Sequence, residues 1–222
     1  MNADFVVVGA GSAGCVVAAR LSETGAKVVL LEAGPTDWYP FIHIPAGMRS
    51  LLRNPRVNWN YTTEPEKNSG ERRIDWPRGR TLGGSSSING MLYVRGHRLD
   101  YDDWARGGCR GGSYSDVPPY FLKAEGNRQY DDAFHGAAGP LAVSAQRQVN
   151  GYSRMFVAAG AQAGISLNPD FNGAHQEGVG VYQISTKNGR RMSAARAFLR
   201  PAMRRSNVRV ETNALATRIL FE

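Results

Sequence analysis

The chain has 222 residues, 26 of them glycine, and a formal net charge of +8. Its two cysteines exclude a disulfide framework and a four-cysteine zinc site, and no apolar run approaches the ~18 residues of a membrane-spanning helix. A hydrophobic fraction of 42% also excludes a wholly disordered chain.

Hydrophobic patterning predicts an α/β protein that begins with a strand–helix–strand unit. The first strand covers residues 4–8, the helix 14–22 and the second strand 27–31. Beyond an irregular stretch, Ser115 is expected to cap a helix and Pro201 to interrupt one. The further predicted helices are 99–105, 115–125, 152–163 and 193–205, and the further strands are 179–186, 208–211 and 218–221.

A G-x-G-x-x-G motif joins the first strand to the first helix, with glycines at Gly9, Gly11 and Gly14. In this context Gly9 permits a tight turn, Gly11 lets the backbone approach a pyrophosphate, and Gly14 lets the helix pack on the strand. The N–H groups of the helix N-terminus are suited to bind the phosphates. Glu32 ends the second strand, where a carboxylate binds ribose hydroxyls and repels a 2′-phosphate. NADP is therefore disfavoured, while FAD and NAD both remain.

A second glycine cluster, residues 78–91, has the sequence RGRTLGGSSSINGM. It matches neither the phosphate loop of nucleoside triphosphatases nor the G-x-S-x-G elbow of serine hydrolases. Consecutive glycines and hydroxyls are suited to approach the other end of a dinucleotide, and a simple NAD enzyme does not need such a loop.

Together the two clusters resemble the glucose–methanol–choline (GMC) flavoprotein oxidoreductases. The resemblance includes the family's first signature, at 79–89, and covers essentially the whole chain in the family's order. It continues through YVRG (93–96), DYDDW (100–104), FHG (134–136), DFNG (170–173), QEGVG (176–180), NGRR (188–191) and SAARAFL (193–199).

The resemblance implies an α/β fold with a Rossmann-type FAD-binding domain and parts of a second, substrate-side domain threaded through it. The expected limits are 1–142 for the first part of the FAD-binding domain, 143–192 for part of the substrate-side domain, and 193–222 for the return to the FAD-binding domain. Because residues 218–221 have the pattern of a strand at the very end of the sequence, we also expect the chain to be C-terminally truncated.

The resemblance further implies which residues hold FAD. Some members attach FAD covalently through a histidine of the signature, but Ile88 occupies that position here, so non-covalent FAD is expected. The implied contacts are to the pyrophosphate from Gly9, Gly11, Ser12, Ala13 and Gly14, to the ribose from Glu32, to the flavin-side phosphates from Leu82, Gly83 and Gly84, to the isoalloxazine from Asn89, Gly90, Met91 and Leu92, and to adenine from the backbone of Ala216.

The implied reaction is the oxidation of a primary alcohol to an aldehyde, by hydride transfer to flavin N5 and then to a quinone or another acceptor. Choline is the alternative substrate. The family's catalytic histidine matches no residue here, so we assign no catalytic residue to the chain. Alone, it is expected to bind FAD weakly or not at all and not to oxidise alcohols. A non-catalytic or truncated dinucleotide-binding fragment is the alternative from another functional class.

The remaining polar residues are given structural interpretations. No metal is expected, because the acids of residues 100–103 are typical of a helix N-terminus. Nine lysines and arginines against two glutamates make residues 186–222 basic, but without a DNA-binding motif we expect no nucleic-acid partner. We expect a cytoplasmic location, and peripheral contact with the inner face of the membrane stays open. The histidines expected to be structural or exposed are His43, His97, His135 and His175.

Overall fold

The computed structural model describes residues 2–221. Short β-strands occur along the whole of this range. They are β1 (Phe5–Val8), β2 (Val28–Glu32), β3 (Tyr61–Thr62), β4 (Asp75–Trp76), β5 (Glu125–Asn127), β6 (Leu141–Val143), β7 (Thr186–Lys187), β8 (Arg190–Arg191) and β9 (Val208–Thr212).

The α-helices of the same range are α1 (Ser12–Glu23), α2 (Pro40–His43), α3 (Met48–Leu51), α4 (Arg98–Arg106), α5 (Pro118–Ala124), α6 (Gly151–Gln162) and α7 (Arg200–Ala202). Single turns of 3-10 helix cover Pro45–Gly47, Lys67–Ser69 and Gly84–Ser87, and a π-helical stretch covers Ala195–Leu199. Within residues 2–221, no helix has the length and apolar character needed to cross a membrane.

The chain divides into two compact units, which are residues 2–91 with 189–221, and residues 92–188. The first unit is thus built from two separated parts of the sequence. Residues 92–142, which the sequence analysis grouped with the first part of the FAD-binding domain, lie in the second unit. The limits 1–142, 143–192 and 193–222 were assigned by function, and in that sense they stay a prediction.

The first unit contains a parallel three-stranded sheet in the order β1–β2–β9. Phe5 lies opposite Val28, and Val28 lies opposite Val208 on the other side. The central strand β2 buries Val28 and Leu30 completely, as expected for a strand with neighbours on both edges and a helix on one face. The strand–helix–strand unit at the start of the chain is confirmed, and so is the strand predicted at 208–211.

The segment predicted as a helix over 193–205 is helical but irregular. It forms a π-helical stretch, Ala195–Leu199, followed by α7, and Pro201 lies in the first turn of α7. Leu199 and Arg200 keep helical dihedral angles, so the run is continuous, and Pro201 comes just after the wider π-helical stretch, in which the N–H of Arg200 donates to the carbonyl of Ala195. Both pieces pack on α1, and the small residues Ala18, Ala195 and Ala202 are buried within the unit.

Three predicted segments are wrong, and the first is the helix over 115–125. Ser115 does not cap a helix: its hydroxyl is 2.7 Å from that of Ser113, and α5 begins at Pro118 after Val117. The helix also ends earlier than 125, because Glu125 begins β5. Residues 218–221 form no strand with any described residue, and Phe221 is 91% exposed.

The third wrong prediction is the strand over 179–186. The backbone of this segment divides its hydrogen bonds among several partners of the second unit. The N–H of Val179 donates to Ser166, that of Ile184 donates to Ser144, and the carbonyl of Gln183 accepts from Tyr93. A continuous ladder with one neighbouring strand therefore does not form, and burial does not alternate along the segment, in which Val179, Gln183 and Thr186 are buried.

Candidate functional site

The first glycine loop has the backbone geometry that its motif predicts. Gly9 ends β1 with a φ of +91°, in the left-handed region that favours glycine. A Cβ at Gly14 would lie 1.9 Å from the carbonyl oxygen of Gly9, so only glycine lets α1 pack this closely on the loop. At Gly11, by contrast, a Cβ would meet no atom within 4 Å. The loop is thus tightly packed against α1 at Gly14, whereas the space beside Gly11 is open.

The N-terminus of α1 is available for an acceptor from outside the helix. Gly11 is the N-cap residue and offers no side-chain hydrogen bond to the first turn, which contains no acidic residue. The first N–H groups of a helix lack partners within it and carry a partial positive charge. This end of α1 is therefore suited to an anionic group such as a phosphate.

Glu32 stabilises the first glycine loop through hydrogen bonds from backbone N–H groups to its carboxylate. Its carboxylate is 5% exposed, and its two oxygens accept hydrogen bonds from the N–H groups of Ala10 at 2.7 Å and Gly34 at 2.8 Å. Each carboxylate oxygen has a second lone pair, so these bonds leave acceptor capacity for a hydroxyl. The sequence analysis predicted the ribose contact and missed this stabilising role, which only the folded backbone reveals.

The second glycine cluster packs directly on the first. The N–H of Gly83 donates to the carbonyl of Ala10 at 2.7 Å, and a Cβ at Gly84 would lie 2.6 Å from the Cα of Gly11. Both Gly83 and Gly84 have positive φ, at +89° and +52°. We call residues 9–14 and 82–87 together the glycine cradle.

Serine hydroxyls stiffen the glycine cradle from within. Ser86 donates to the carbonyl of Gly83 at 2.6 Å, and Ser87 donates to that of Leu82 at 2.7 Å. Leu82 and Ser87 are buried. These bonds hold the loop conformation through the chain's own atoms, which reduces the entropy cost of ordering the loop when a ligand binds.

The segment after the glycine cradle turns sharply. Asn89 and Gly90 are exposed, whereas Met91 is buried and has a φ of +63°. The side-chain oxygen of Asn89 accepts from the N–H of Met91 at 3.0 Å and from the Arg191 guanidinium at 2.8 Å. Leu92 is 56% exposed and is the first residue of the second unit. In the sequence, Arg191 is part of the motif NGRR (188–191), and nothing in that pattern indicates its contact with Asn89.

Ile88, at the position of the covalent histidine in some GMC members, belongs to an apolar cluster. It is 2% exposed and packs with Ile42, Leu51 and Val57. Ala216 is exposed beyond β9. Two residues earlier, the N–H of Ala214 donates to the carbonyl of Glu32 at 2.8 Å, so this segment runs beside the end of β2.

The second unit contains a buried polar network around His135. Its Nδ1 lies 3.0 Å from Glu125 and its Nε2 lies 2.9 Å from Asp170, while Arg95 forms an ion pair with Glu125 and Asn127 bonds to the same carboxylate. Burial lowers the pKa of His135, but the hydrogen bonds to the two carboxylates outweigh it and raise the pKa above its ordinary value of 6.5.

The four histidines therefore differ in their surroundings. His135 is held in the network, and His97 caps α4 by accepting from Leu99. The Nε2 of His43 lies 2.7 Å from the carbonyl of Asp37, and His175 is exposed. Within the described part of the chain, no group of three or more metal-ligating side chains comes together.

Comparison with known proteins agrees with this geometry. The sequence profile of the GMC oxidoreductases matches residues 3–222. The chain belongs to the GMC oxidoreductase family. Its fold is the N-terminal FAD-binding fold of that family, as the resemblance of the two glycine clusters predicted.

Individual relatives are similar to this chain over nearly all of its length but are themselves longer. It is 50% identical over 221 residues to an alcohol dehydrogenase [acceptor] of Pseudomonas putida, and 47% identical over 223 residues to an oxygen-dependent choline dehydrogenase of Sinorhizobium medicae. These matches cover 99% and 100% of this chain and 40% of each relative. A solved structure of pyridoxine 4-oxidase from Mesorbium loti superposes with a TM-score of 0.90 at 35% identity, over 96% of this chain and 42% of the other. The chain thus spans about 40% of the length of these GMC relatives.

Proposed function

We propose that the chain is the FAD-binding part of an oxidoreductase that converts a primary alcohol to an aldehyde. The observation that carries the proposal is the contact between the two glycine clusters. The N–H of Gly83 meets the carbonyl of Ala10, and Gly84 meets Gly11, while the space beside Gly11 stays open. GMC oxidoreductases are FAD-dependent, and a cofactor with two phosphates and two ends accounts for both clusters.

The adenosine diphosphate half of FAD fits residues of the first unit. The open backbone at Gly11 and the free N–H groups of Ser12, Ala13 and Gly14 suit the pyrophosphate. The remaining lone pairs of Glu32 suit the ribose hydroxyls, and its charge opposes a 2′-phosphate. Gly9 supplies the turn, and the exposed backbone at Ala216 is available to adenine.

The flavin half has a less complete set of residues in this chain. In the proposal, Leu82, Gly83 and Gly84 contact the flavin-side phosphate, and the segment from Asn89 to Leu92 lies along the isoalloxazine. The bound flavin supplies a hydride acceptor at N5. The residues of this segment would orient the ring and offer backbone N–H groups to its N–C=O edge. Because Ile88 has no nucleophilic atom and is buried among aliphatic side chains, we propose non-covalent binding.

The proton-transfer groups are proposed to lie outside this chain. A general base must reach the substrate hydroxyl and titrate near the working pH. His97 is engaged as a helix cap and His135 by two carboxylates, so neither is assigned to catalysis. We therefore keep the proposal that the 222 residues alone do not oxidise alcohols.

Nucleotide titration tests the cofactor proposal. The sequence alone predicts weak or absent FAD binding, whereas the contact between the two glycine clusters within one unit supports binding. FAD and ADP are therefore each expected to bind one site and to compete with one another, and NADP is expected to bind far more weakly because of Glu32. Gly11→Ala should fold normally and lose both ligands, since its methyl group enters the space left for the pyrophosphate. Gly151→Ala is the matched control, because a Cβ there also meets nothing within 4 Å but lies outside the glycine cradle. Failure of the wild-type chain to bind either FAD or ADP would contradict the proposal.

The substrate is tested on a protein that includes any continuation of the reading frame. Primary aliphatic alcohols are expected to bleach the flavin without oxygen, with a quinone restoring its colour. Choline is the second candidate because an oxygen-dependent choline dehydrogenase is 47% identical to this chain. Bleaching by choline alone would favour that candidate, and bleaching by neither would favour the non-catalytic fragment.

A cytoplasmic location, with contact to the inner membrane face as the alternative, is also kept as a proposal. Part of the basic segment is unavailable for anionic lipid in this structure. Arg191 is fully buried, and Arg200 forms an ion pair with Asp37 at 2.8 Å. Cell fractionation with and without a high-salt wash would separate the two locations.

A further inference from the structure

Arg191 is a buried cation that forms no ion pair with any carboxylate of residues 2–221. It is 0% exposed and is the largest of the fully buried side chains in the described residues. Its Nε donates to the carbonyl of Ile42 at 2.7 Å, and its Nη1 donates to the carbonyl of Ser86 at 3.2 Å and to the side-chain oxygen of Asn89 at 2.8 Å. Its Nη2 is buried and has no hydrogen-bond partner in residues 2–221.

Burial of the Arg191 guanidinium among neutral groups destabilises the folded state, so we expect Arg191 to have a role that compensates for this loss of stability. Removing a guanidinium from water is unfavourable unless it is paired with an opposite charge and fully hydrogen-bonded. The acceptors of Arg191 are all neutral. Burial lowers the pKa of Arg191 to about 10, which still leaves it cationic at neutral pH. The first unit thus carries a fixed, unneutralised positive charge at this place.

The charge lies directly under the segment that follows the glycine cradle. The oxygen of Asn89 accepts hydrogen bonds from Arg191 on one side and from the N–H of Met91 on the other. Met91 has a φ of +63°, in the left-handed region that a non-glycine residue adopts only when its surroundings hold it there. The bridge through Asn89 therefore helps to hold Met91 in a conformation that it would not adopt readily.

We propose that Arg191 is a positioning residue of the flavin site, which fixes Asn89 and Met91 through the Asn89 oxygen and lends its unneutralised charge to the reduced flavin. The inference rests on the proposed FAD binding and assigns a further residue to that site. Two electrons and one proton entering the ring leave one negative charge on it, which a nearby cation stabilises.

The first test compares Arg191→Met with wild type by measuring the affinity for ADP and for FAD. ADP contacts only the adenosine half, so its affinity is expected to stay within about twofold. FAD should bind wild type more tightly than ADP does, and this advantage should fall about tenfold in the variant, the loss of roughly one charged hydrogen-bond interaction. Arg190→Met is the matched control, because Arg190 is the exposed neighbour in the same motif.

The second readout is the reduction potential of the bound flavin, measured by equilibration with a redox dye. Arg191→Met should lower the potential, whereas Arg190→Met should leave it nearly unchanged. Arg191→Lys keeps the charge but not the fork of donors, so it should restore the potential more than the affinity. A residue that only supported folding would not separate these two quantities.

A third readout needs no cofactor. The amide of Met91 should exchange with solvent hydrogen faster in Arg191→Met than in wild type, because Asn89 is no longer fixed. Should Arg191→Met fail to fold, Arg191→Lys takes its place in this measurement, since it keeps the charge but loses the fork of donors that holds Asn89.

The outcomes separate this inference from the proposed function. An unchanged ratio of FAD to ADP affinity and an unchanged potential in the variants would overturn the role of Arg191. A wild-type chain that binds FAD no more tightly than ADP would also overturn it, while leaving the adenosine site intact. A wild-type chain that binds neither nucleotide would overturn the proposed function itself.

Discussion

At the scale of single residues, the two cysteines illustrate how position determines reactivity. Cys15 is completely buried in α1, and its thiol lies 3.1 Å from the carbonyl of Ala10 in the first glycine loop. Burial raises the pKa of the Cys15 thiol to about 12, and the charges of Glu32 and Asp37 add to the effect. Cys109 is exposed. The thiolate is the reactive form, so the two residues should differ sharply in reactivity.

We therefore expect one thiol per native chain to react with a disulfide reagent at pH 8, and two after denaturation. Cys109→Ser should abolish the native reaction, whereas Cys15→Ser should leave it unchanged. Rapid modification of Cys15 in the native Cys109→Ser variant would mean that the glycine loop opens readily, contrary to the packing described above.

The glycines of the first loop give a second contrast at this scale. In Gly14→Ala the new Cβ would lie 1.9 Å from the oxygen of Gly9, a backbone atom that cannot move without displacing β1. Overpacking of this kind costs roughly 1–3 kcal/mol or more of the free energy of unfolding. Gly11→Ala meets no atom and has a φ of −72°, so it should cost less than about 0.5 kcal/mol. Urea unfolding of both variants tests the difference, and equal stabilities would contradict it.

At the scale of elements, the polar network joins β5 to the segments that carry His135 and Asp170. The raised pKa of His135 means that the folded state binds its proton more tightly than the unfolded state does. The resulting stabilisation is complete below the unfolded pKa of about 6.5 and is lost as the pH rises through the higher, folded value. A protonated His135 balances one of its two carboxylates, and Arg95 balances the other.

His135→Gln should therefore reduce the free energy of unfolding more at pH 6 than at pH 8, when each is measured against wild type at the same pH. Breaking a buried charged pair costs about 3–5 kcal/mol when the pair is intact. His175→Gln is the control, because His175 is exposed and its side chain belongs to none of the hydrogen bonds of this network. An effect of His135→Gln that is equal at both pH values would show that His135 is neutral in the folded state.

Elements also reveal what sequence patterns can and cannot predict. The strand–helix–strand unit was predictable because its glycines, its apolar strands and Glu32 all indicate the same structure. Residues 179–186 have an equally clear alternation, but the partners at Ser166, Ser144 and Tyr93 lie far away in the sequence. Strand assignment needs a neighbour, and a pattern within one segment does not identify it.

At the scale of the whole molecule, the sequence predicted the family and the two glycine clusters, and the structure shows that these clusters are in direct contact. Contacts such as that of Gly83 with Ala10 join residues about seventy positions apart, which spacing alone does not reveal. The sequence also does not distinguish Arg191 from its neighbour Arg190. Both are arginines of one motif, but only Arg191 is buried. The roles of the predicted site residues stay predictions until a nucleotide is bound.

The most direct measurement is the visible absorption spectrum of the purified chain, incubated with FAD and then passed through a gel-filtration column. Flavin should co-elute with the wild-type chain, and its absorption bands should be shifted from those of free FAD. The Gly151→Ala variant should behave in the same way. Gly11→Ala should elute without flavin while keeping its circular-dichroism spectrum. A folded wild-type chain that elutes without flavin, and that shows no FAD binding with which ADP competes, would contradict the claim that the glycine cradle binds FAD.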